Sequence, residues 1–399
     1  MNILQICSKI PYSPKDGGSI AMNILTHGLI DCGNNVDVLA VNTPKHFVKD
    51  QDVSEDYKEK TNYQSVFIDT DIKPFDAFIN LFSSKSYNVI RFYSKDFESV
   101  LADRLKTKDY DIIQLETLWV TPYINVIRKY STAKVVLRSQ NIEYMIWERL
   151  AQDSSSFFKK SYMNLLAKRL KKFEVSEVNK YDAILTITPL DTDVYIKHGC
   201  KCPILHVPFG IDITKYKIDT SELQKPSIFH IGAMDWRPNA DGLNWFLKNV
   251  WQDVAKTNKN IKLYLAGRNM PEWLKELRME NVVVEGEVPD AHKFINSKSI
   301  MIVPLASGGG MRVKIIEGMA LGKTIISTAV GAEGIDYSDG ENIIIANTAK
   351  EFVDAINKCI IDQSFADGIA KNGEKLARTK YDNQVICNNL TAFYKELLA

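Results

Sequence analysis

Short apolar runs alternate with segments of helical periodicity along the whole chain. Most of these runs are continuously apolar, which is typical of parallel strands that are covered on both faces. In the first half, the pattern predicts strands at residues 2–7, 35–41, 65–68, 111–115, 134–137 and 183–188. A loop containing Asp16, Gly17 and Gly18 follows the first run, and a helix is predicted from about Ser19. The sequence therefore predicts an α/β fold with a doubly wound sheet.

The same alternation restarts after a connector at residues 207–210. Further strands are predicted at residues 227–231, 262–266, 281–285, 300–303, 324–327 and 343–345. We therefore predict two doubly wound, Rossmann-like domains, an N-terminal one at 1–206 and a C-terminal one at 207–382. The closing segment, 383–399, has helical spacing, and we expect it to pack back on the first domain.

The clearest candidate chemistry lies in the second domain. Gly308, Gly309 and Gly310 end a predicted strand, and Arg312 and Lys314 follow within four residues. Glycines let the main chain approach a ligand closely, and amides at a helix N-terminus point at an anion. A guanidinium can fork onto a phosphate, whereas an ammonium acts as a point charge. This pattern favours a diphosphate site over the alternative, a tight strand-to-helix turn without a ligand.

A single acid follows this loop. Glu317 stands in the apolar stretch IIEGMALG, where an unpaired charge is costly. A carboxylate can accept hydrogen bonds from two vicinal hydroxyls, so we expect Glu317 to bind the ribose of a nucleotide. The alternative is a solvated helix residue. Together with the glycine loop, Glu317 indicates a nucleotide-linked substrate.

Composition and charge narrow the function further. The chain of 399 residues is 45% hydrophobic and has a formal net charge of +1, so no overall field favours nucleic acid as a partner. The six cysteines form no CxxC pair, which indicates free thiols in a reducing cytoplasm. The six histidines show no metal spacing, so we predict neither a metal nor a cofactor.

The N-terminus and the longest apolar runs indicate where in the cell the protein is expected to be. The first apolar run has no basic region before it and no small-residue cleavage site, so it predicts a strand and not a signal peptide. No apolar run reaches the roughly 18 residues that span a bilayer. The sequence therefore predicts a soluble, cytoplasmic protein, at most peripheral on the inner face of a membrane.

The stretch 157–172, FFKKSYMNLLAKRLKK, is basic and amphipathic, with six Lys or Arg residues among its apolar positions. Two interpretations are open. One is an ordinary surface helix whose apolar stripe packs in the core. The other is docking on an anionic membrane, which would suit a lipid-linked acceptor.

Six segments in a fixed order suggest a family. They are PYSPKDGG at 11–18, SQNIEYMIWERLA at 139–151, DAILTITPLD at 182–191, VPFGID at 207–212, FHIGAMDWRPNADGLNWF at 229–246 and VEGEVPD at 284–290. Over nearly the whole chain, they resemble retaining glycosyltransferases of the GT-B fold, of the bacterial family-4 type. The resemblance implies two domains facing a cleft, with the nucleotide sugar in the C-terminal domain and the acceptor mainly in the N-terminal one. It also implies a metal-independent transfer with retention of configuration.

On the acceptor side, the candidate residues follow predicted strands, where such sheets usually bind ligands. The candidate residues of the catalytic site, expected to contact the acceptor or the transferred sugar, are Gly17, Gly18, Glu116, Gln140 and Asn141. The alternatives are a flexible turn at the glycines and a polar loop at 140–143, including Glu143, that caps the next helix. No acid is identified as a catalytic base.

On the donor side, the candidates come from the C-terminal segments and from the glycine loop. They are Gly232, Arg237, Asn239, Arg268, Glu287, Val288, Gly308, Gly309, Gly310, Met311, Arg312, Lys314 and Glu317. Nucleotide base edges are expected near 284–290, where backbone groups would contact them.

The chain departs from the family pattern at three places. Gly309 stands where the family has the first of two glutamates, while Glu317 fits the second. Gln140 stands where many members have His. The Arg and Lys usual in the first loop of the donor domain are not plainly matched, so Arg237 or Asn239 would have to serve.

Three functions remain open on this basis. The first is transfer of a sugar from a nucleotide-diphosphate sugar to a glycan, a lipid-linked saccharide or a cell-surface polysaccharide. The second is a non-catalytic GT-B partner that binds glycan or supports another transferase, which the missing first glutamate motivates. The third is a sugar-nucleotide epimerase, for which the sequence places no carboxylate bases.

Overall fold

The computed structural model describes residues 1–12, 14, 16–152, 156–308 and 310–399. The chain divides into two compact units, one formed by Met1–Gly210 with Asn383–Ala399 and the other by Ile211–Asp382. The sequence placed the division at 206/207. The first unit extends further because the amide of Val207 donates to the carbonyl of Thr186 at 2.7 Å, and its side chain is buried in the core of that unit.

The first unit contains a seven-stranded parallel sheet. Its strands are β1 (Asn2–Cys7), β2 (Asn35–Asn42), β3 (Gln64–Phe67), β4 (Ile112–Glu116), β5 (Lys134–Ser139), β6 (Ala183–Thr186) and β7 (Ile204–His206). The order across the sheet is β3-β2-β1-β4-β5-β6-β7. The strand β7 was not predicted, because it is only three residues long and none of them is fully buried.

The second unit repeats this architecture with a six-stranded parallel sheet. Its strands are β8 (Ile228–Ile231), β9 (Leu263–Ala266), β10 (Val282–Gly286), β11 (Ile300–Val303), β12 (Thr324–Ser327) and β13 (Ile344–Ile345). The order is β10-β9-β8-β11-β12-β13. The prediction of two α/β, Rossmann-like units is confirmed.

Helices connect the strands in both units, as parallel strands require. In the first unit they are α1 (Gly17–Asp31), α2 (Glu55–Thr61), α3 (Pro74–Asn80), α4 (Tyr87–Ile90), α5 (Lys95–Thr107), α6 (Ile124–Tyr130), α7 (Glu143–Gln152), α8 (Phe157–Glu177) and α9 (Pro189–Lys197). In the second unit they are α10 (Arg237–Phe246), α11 (Gln252–Thr257), α12 (Glu272–Lys275), α13 (Ala291–Asn296), α14 (Val313–Ala320), α15 (Ala349–Ile361) and α16 (Gln363–Lys380). The last helix is α17 (Asn383–Leu398).

The helix α17 returns to the first unit, where Leu390 and Tyr394 are buried in one cluster with Ile3. The side chain of Asn383 donates from Nδ2 to the carbonyl of Ile24 at 3.0 Å. At the point where the chain leaves the first unit, a Cβ on Gly210 would lie 2.9 Å from the Cα of Asn383. The chain therefore leaves the first unit and re-enters it at adjacent positions.

The helix α8 contains the basic stretch 157–172. Leu166 and Leu170 of its apolar stripe are buried, while Phe157 and Phe158 in its first turn are exposed. The stripe therefore packs in the core, as the first of the two interpretations has it. Among the described residues, no helix combines the length and the apolar character that crossing a membrane demands.

Candidate functional site

The donor-side candidates gather where β8 and β11 end side by side. Lys314, in the first turn of α14, donates from Nζ to Oδ1 of Asn239 at 2.9 Å and to the carbonyl of Ile231 at 3.4 Å. The side chain of Asn239 donates in turn from Nδ2 to the carbonyl of Ala233 at 2.9 Å. A Cβ on Gly232 would lie 2.8 Å from Nδ2 of Asn239. Glycine at this position thus leaves room for the pair of Asn239 and Lys314.

The ammonium group of Lys314 is held in a poorly hydrated environment. Burial, followed by the positive charge of Arg312, lowers its pKa to about 7. Within the described part of the chain, no carboxylate forms an ion pair with Lys314. An anion bound here would stabilise the charged form, because an opposite charge nearby raises the pKa of a lysine.

A fully buried histidine lies beneath this group. The Nδ1 atom of His230, on β8, is 3.0 Å from the carbonyl of Ile302 on β11. Burial and the charge of Lys314 lower the pKa of His230 to about 3, so its ring is neutral. The sequence alone indicates no role for His230, because a single histidine in an apolar strand forms no pattern with other residues.

The glycine loop surrounds Arg312. Gly308 and Gly310 have φ angles of 125° and 80°, which favour glycine over residues with a side chain. The guanidinium of Arg312 donates to the carbonyl of Gly310 and lies 4.9 Å from the ring centroid of Trp236. A Cβ on Gly308 would lie 2.5 Å from Nη2 of Arg312. Gly308 therefore makes space for the stacking of Arg312 on Trp236, which no local sequence pattern indicated.

Two further donor-side candidates belong to this loop, Met311 and Gly309. Met311 is buried, at the step between the loop and α14. Gly309, predicted as a donor ligand and as the site of the missing glutamate, lies outside the described residues.

Glu317 is half-buried on α14, one turn after Lys314, and is held by a tyrosine. The hydroxyl of Tyr216 donates to Oε1 of Glu317 at 2.8 Å. Burial and the charge of Glu317 raise the pKa of Tyr216, so its hydroxyl remains a donor. The ring of Tyr216 lies 4.6 Å from that of His292. Tyr216, which precedes the donor domain's first strand, was not predicted.

Four donor-side candidates lie apart from this group. Arg237 is largely exposed and pairs with Asp241 at 3.1 Å. Arg268 and Glu287 are exposed, and Val288 is half-buried in the turn after β10. None of the four hydrogen-bonds to Asn239 or Lys314 in the described structure. Asn239, and not Arg237, therefore occupies the position next to Gly232.

In the first unit, Gly18 lies between two polar side chains. A Cβ on Gly18 would lie 2.8 Å from Nζ of Lys9 and 3.1 Å from Oε1 of Gln140. Lys9 forms an ion pair with Asp16, the N-cap residue of α1. The structure thus brings Gly18 and Gln140 together, and adds Lys9 and Asp16. Gly17 is exposed, with no atom within 4 Å of where its Cβ would be.

Asp16 explains why α1 begins at Gly17, two residues before the predicted start. Its carboxylate accepts from the amides of Gly18 at 2.9 Å and Ser19 at 3.2 Å, which is a strong capping arrangement. Burial alone would raise the pKa of Asp16, but the bond to Lys9 holds it below its usual value. A phosphate at this helix N-terminus would therefore have to compete with Asp16 for these amides.

Glu116 corrects a prediction. It was expected to contact substrate, but it is fully buried and paired with Arg138, whose Nη1 donates to Oε2 at 3.1 Å. Gln140 also donates to Oε2, from Nε2 at 3.1 Å, and Gln114 donates to Oε1. Gln140 is buried as well. The hydrogen bond to Glu116 therefore fixes the orientation of the Gln140 side chain.

The segment after β5 holds a buried acid. Glu143 begins α7, and burial together with the charge of Glu174 raises its pKa to about 8. Glu174, on α8, accepts from the amides of Glu143 at 3.2 Å and Tyr144 at 3.1 Å. Burial raises the pKa of Glu174 to about 7. The polar segment therefore does not cap α7 by itself.

Asn141 is half-buried, and its carbonyl accepts from Oγ of Ser139 at 2.9 Å.

In the parts of the chain that the structure describes, no three His, Cys, Asp or Glu side chains are grouped so that they could hold a metal ion.

Replacing Glu116 by glutamine should destabilise the first unit by about 3–5 kcal/mol, because it leaves the charge of Arg138 buried and unpaired. Urea unfolding would measure this loss. The double variant Glu116→Gln/Arg138→Met should recover much of it, because it removes the buried charge as well. If Glu116→Gln kept full stability and lost only activity, a substrate contact would be the better account.

The buried acid predicts a pH dependence of stability. Because the pKa of Glu143 rises from 4.5 to about 8 on folding, the folded state retains a proton that the unfolded state releases. The stability contributed by Glu143 therefore falls as pH rises through this window. Glu143→Gln should stabilise the protein more at the upper end of the window than at the lower end, as urea midpoints would show. The control Glu148→Gln, on the same helix but partly exposed, should have no such effect.

Sequence comparisons point to one family. Residues 225–362 match the model of the family described as "Glycosyl transferases group 1". The chain is 24% identical over 413 aligned residues to an uncharacterized 44.6 kDa protein in the cps region of Klebsiella pneumoniae, covering 97% of this chain and 98% of the relative. It is 26% identical over 204 residues to the capsular polysaccharide biosynthesis glycosyltransferase CapM of Staphylococcus aureus, covering 47% of this chain and 53% of CapM.

Solved structures share the fold over the full length. Sucrose-phosphate synthase from Thermosynechococcus elongatus gives a TM-score of 0.66 at 16% identity, covering 100% of this chain and 99% of the synthase. Anabaena HepE in complex with UDP gives 0.66 at 14% identity, covering 99% of this chain and 100% of HepE. Gly232, Asn239, Arg312, Lys314 and Glu317 all lie within the matched residues 225–362. The chain therefore has the GT-B fold, and its residues 225–362 match the family model of the group 1 glycosyl transferases.

Proposed function

We propose that this protein transfers a sugar from a nucleotide-diphosphate sugar to a saccharide, with retention of configuration and without a metal ion. One observation carries the proposal. Lys314 is a poorly hydrated cation at the start of α14, with no carboxylate partner among the described residues and a pKa of about 7. Such a group is poised to receive an anion, and it lies in the part of the chain that matches the family.

The donor would bind along α14. Its diphosphate would meet the amides at the helix N-terminus, the ammonium of Lys314 and the guanidinium of Arg312. Glu317 lies one turn further on, with Tyr216 bonded to one carboxylate oxygen, and it would accept hydrogen bonds from the ribose hydroxyls. Solved structures of HepE contain UDP and UDP-glucose, which supports a nucleotide sugar as the ligand class.

The chemistry of the leaving group follows from these charges. When the bond to the sugar breaks, negative charge grows on the diphosphate. Lys314, Arg312 and the dipole of α14 would stabilise this charge, the task that a metal ion performs elsewhere. Retention follows from the resemblance of the sequence to retaining enzymes. The leaving phosphate would help to deprotonate the acceptor hydroxyl.

The acceptor would bind at the first unit, near Lys9, Gly18 and Gln140. The side chains of Lys9 and Gln140 offer hydrogen-bond donors and an acceptor after the carboxyl ends of β1 and β5, where sheets of this kind bind ligands. The relative CapM acts in capsular polysaccharide biosynthesis, so we propose a glycan, a lipid-linked saccharide or a cell-surface polysaccharide as the acceptor. A cytoplasmic location, with peripheral contact on the inner face of a membrane, is part of this proposal.

A non-catalytic role is the second candidate, and two observations favour it. Gly309 replaces the first glutamate of the family pattern. In addition, Asp16 occupies the amides of Gly18 and Ser19, which would otherwise be available to a ligand. Incubation with UDP-sugars and saccharide acceptors separates the two roles. If a donor binds but no acceptor is ever glycosylated, the chain is a binding subunit.

Glu317→Gln should weaken UDP-glucose binding about tenfold to a hundredfold, because a hydrogen bond to a charged group contributes about 1.5–3 kcal/mol. Isothermal titration calorimetry would measure the dissociation constant. The control Glu276→Gln, an exposed acid of the same unit, should bind as the unmodified protein does. If other nucleotide sugars and UDP-glucose all fail to bind, the proposed function is wrong.

Lys314 predicts a pH dependence of donor binding. Its pKa of about 7 in the free protein should rise when the diphosphate binds, because the anion favours the charged form. Affinity for UDP-glucose should therefore be flat below pH 7 and fall by up to about tenfold per pH unit above it. Calorimetry in buffers of different ionisation enthalpy should show proton uptake in that range. Lys314→Arg stays charged and should abolish both effects; persistence of either effect would assign it to another group.

A further inference from the structure

We propose that the first unit docks on an anionic lipid bilayer through a cluster of exposed phenylalanines. This aromatic surface consists of Phe75, Phe78 and Phe82 in and after α3, and of Phe157 and Phe158 at the start of α8. Their exposed fractions are 72%, 59%, 83%, 76% and 85%, respectively. Large apolar side chains exposed together mark an interaction site far more often than ordinary surface.

Helical spacing gathers the α3 residues. Three apolar residues follow Phe75 at helical spacing: Phe78, Ile79 and Phe82 stand three, four and seven positions after it. This spacing places all four on one face of the helix. The rings of Phe78 and Phe82 are 5.6 Å apart, edge to face. This face points to water: Ile79 is 52% exposed. It is therefore an apolar face without a covering element in the described structure.

One end of α3 is hydrogen-bonded to α8 and the other end to α4. At the C-terminal end, Arg169 of α8 donates from Nη1 to the carbonyl of Asn80 at 2.8 Å. At the N-terminal end, the amide of Lys73 donates to the hydroxyl of Tyr87 at 3.0 Å. Burial, followed by the influence of Tyr87, raises the pKa of Tyr162 on α8. The helices α3 and α8 are thus neighbouring elements of the first unit, and their exposed phenylalanines form the proposed surface.

Charge identifies the occupant as an anionic membrane. The stretch 157–172 has six Lys or Arg residues and no Asp or Glu. Lys159, Lys160, Lys168 and Lys172 form no ion pair with any described residue, whereas Lys171 lies 3.8 Å from Glu148. Unpaired lysines beside exposed aromatic rings are typical of proteins that lie in the membrane interface. Near an anionic surface, each cation strengthens binding by about fivefold.

This surface differs from the one expected from sequence. The apolar stripe of 157–172 was the candidate membrane face, but Leu166 and Leu170 pack in the core. The lipid-facing residues are instead in α3 and in the first turn of α8, with the lysines of α8 next to them. This proposal does not depend on the identity of the donor. A bilayer contact on the acceptor-binding unit would bring that unit to lipid-linked saccharides.

Sedimentation with vesicles tests the proposal on the full chain. We expect binding to phosphatidylcholine vesicles that contain phosphatidylglycerol, little binding to pure phosphatidylcholine, and weaker binding as salt is raised. Phe78→Ser/Phe82→Ser should lower the binding constant at least about tenfold, because two large apolar side chains are lost from the interface. Lys159→Gln/Lys160→Gln should also lower it at least about tenfold.

A matched control separates docking from general stickiness. Ile196 and Ile361 are 59% and 82% exposed, against 59% and 83% for Phe78 and Phe82. Ile196→Ser/Ile361→Ser should bind vesicles as the unmodified protein does. Phe157→Ser/Phe158→Ser provides a second test, should the α3 variant fail to fold.

Three results would overturn the proposal. One is equal binding to both kinds of vesicle, and another is binding that neither phenylalanine variant reduces. The third is a dimer that Phe78→Ser/Phe82→Ser converts to a monomer, without any vesicle binding, because a second copy would then be the partner. UDP-glucose titration separates this proposal from the proposed function. Intact UDP-glucose binding without vesicle binding removes the docking proposal and the membrane contact of the proposed function, but leaves the sugar transfer. Vesicle binding without UDP-glucose binding leaves the docking proposal and removes UDP-glucose as the donor.

Discussion

The ammonium of Lys314 is held away from water at the edge where β8 and β11 end, and the surrounding residues are arranged to permit this. Gly232 gives it room, Asn239 accepts one of its hydrogen bonds, and His230 stays neutral beside it. Keeping a charge in poor contact with water costs free energy unless an opposite charge compensates it. The protein supplies no such charge among its described residues. In the proposed function, the diphosphate of the donor would supply that charge.

The two units differ in how the positive charges near their strand ends are compensated. In the first unit, Glu116 neutralises Arg138 in the core and Asp16 neutralises Lys9 at the surface. Positions next to the strand ends are thus left to neutral polar groups such as Gln140, which suit sugar hydroxyls. In the second unit, Lys314 has no carboxylate partner among the described residues. In the proposed function, the same kind of sheet therefore serves two kinds of substrate, because function depends on side chains at strand ends and not on the fold alone.

Much of this architecture was predictable, because a buried parallel strand leaves an unbroken apolar run. The strands at 2–7, 300–303 and 324–327 have the predicted bounds, whereas the short, half-buried β7 left no such signal. The role of Glu116 was not predictable from one strand. Glu116 and Arg138 face each other in the register of β4 and β5, and a strand in isolation does not reveal its partner.

The same limit applies in the second unit. The glycines and cations of the loop were visible in sequence, but the stacking of Arg312 on Trp236 joins positions far apart in the chain. Likewise, the bond from Tyr216 to Glu317 spans about a hundred residues, and no local pattern predicts it. The Asp16 cap, by contrast, was a local signal, since Ser19 stands three positions later and completes a capping box.

The adjacency of Gly210 and Asn383 has a consequence for modularity. Since the chain departs and returns at neighbouring points, the segment 211–382 is topologically an insertion into an otherwise continuous domain. A different inserted domain could be joined to Gly210 and Asn383 without moving either of these residues. The topology thus allows the second unit to be exchanged as a whole, while the unit that carries the aromatic surface stays the same.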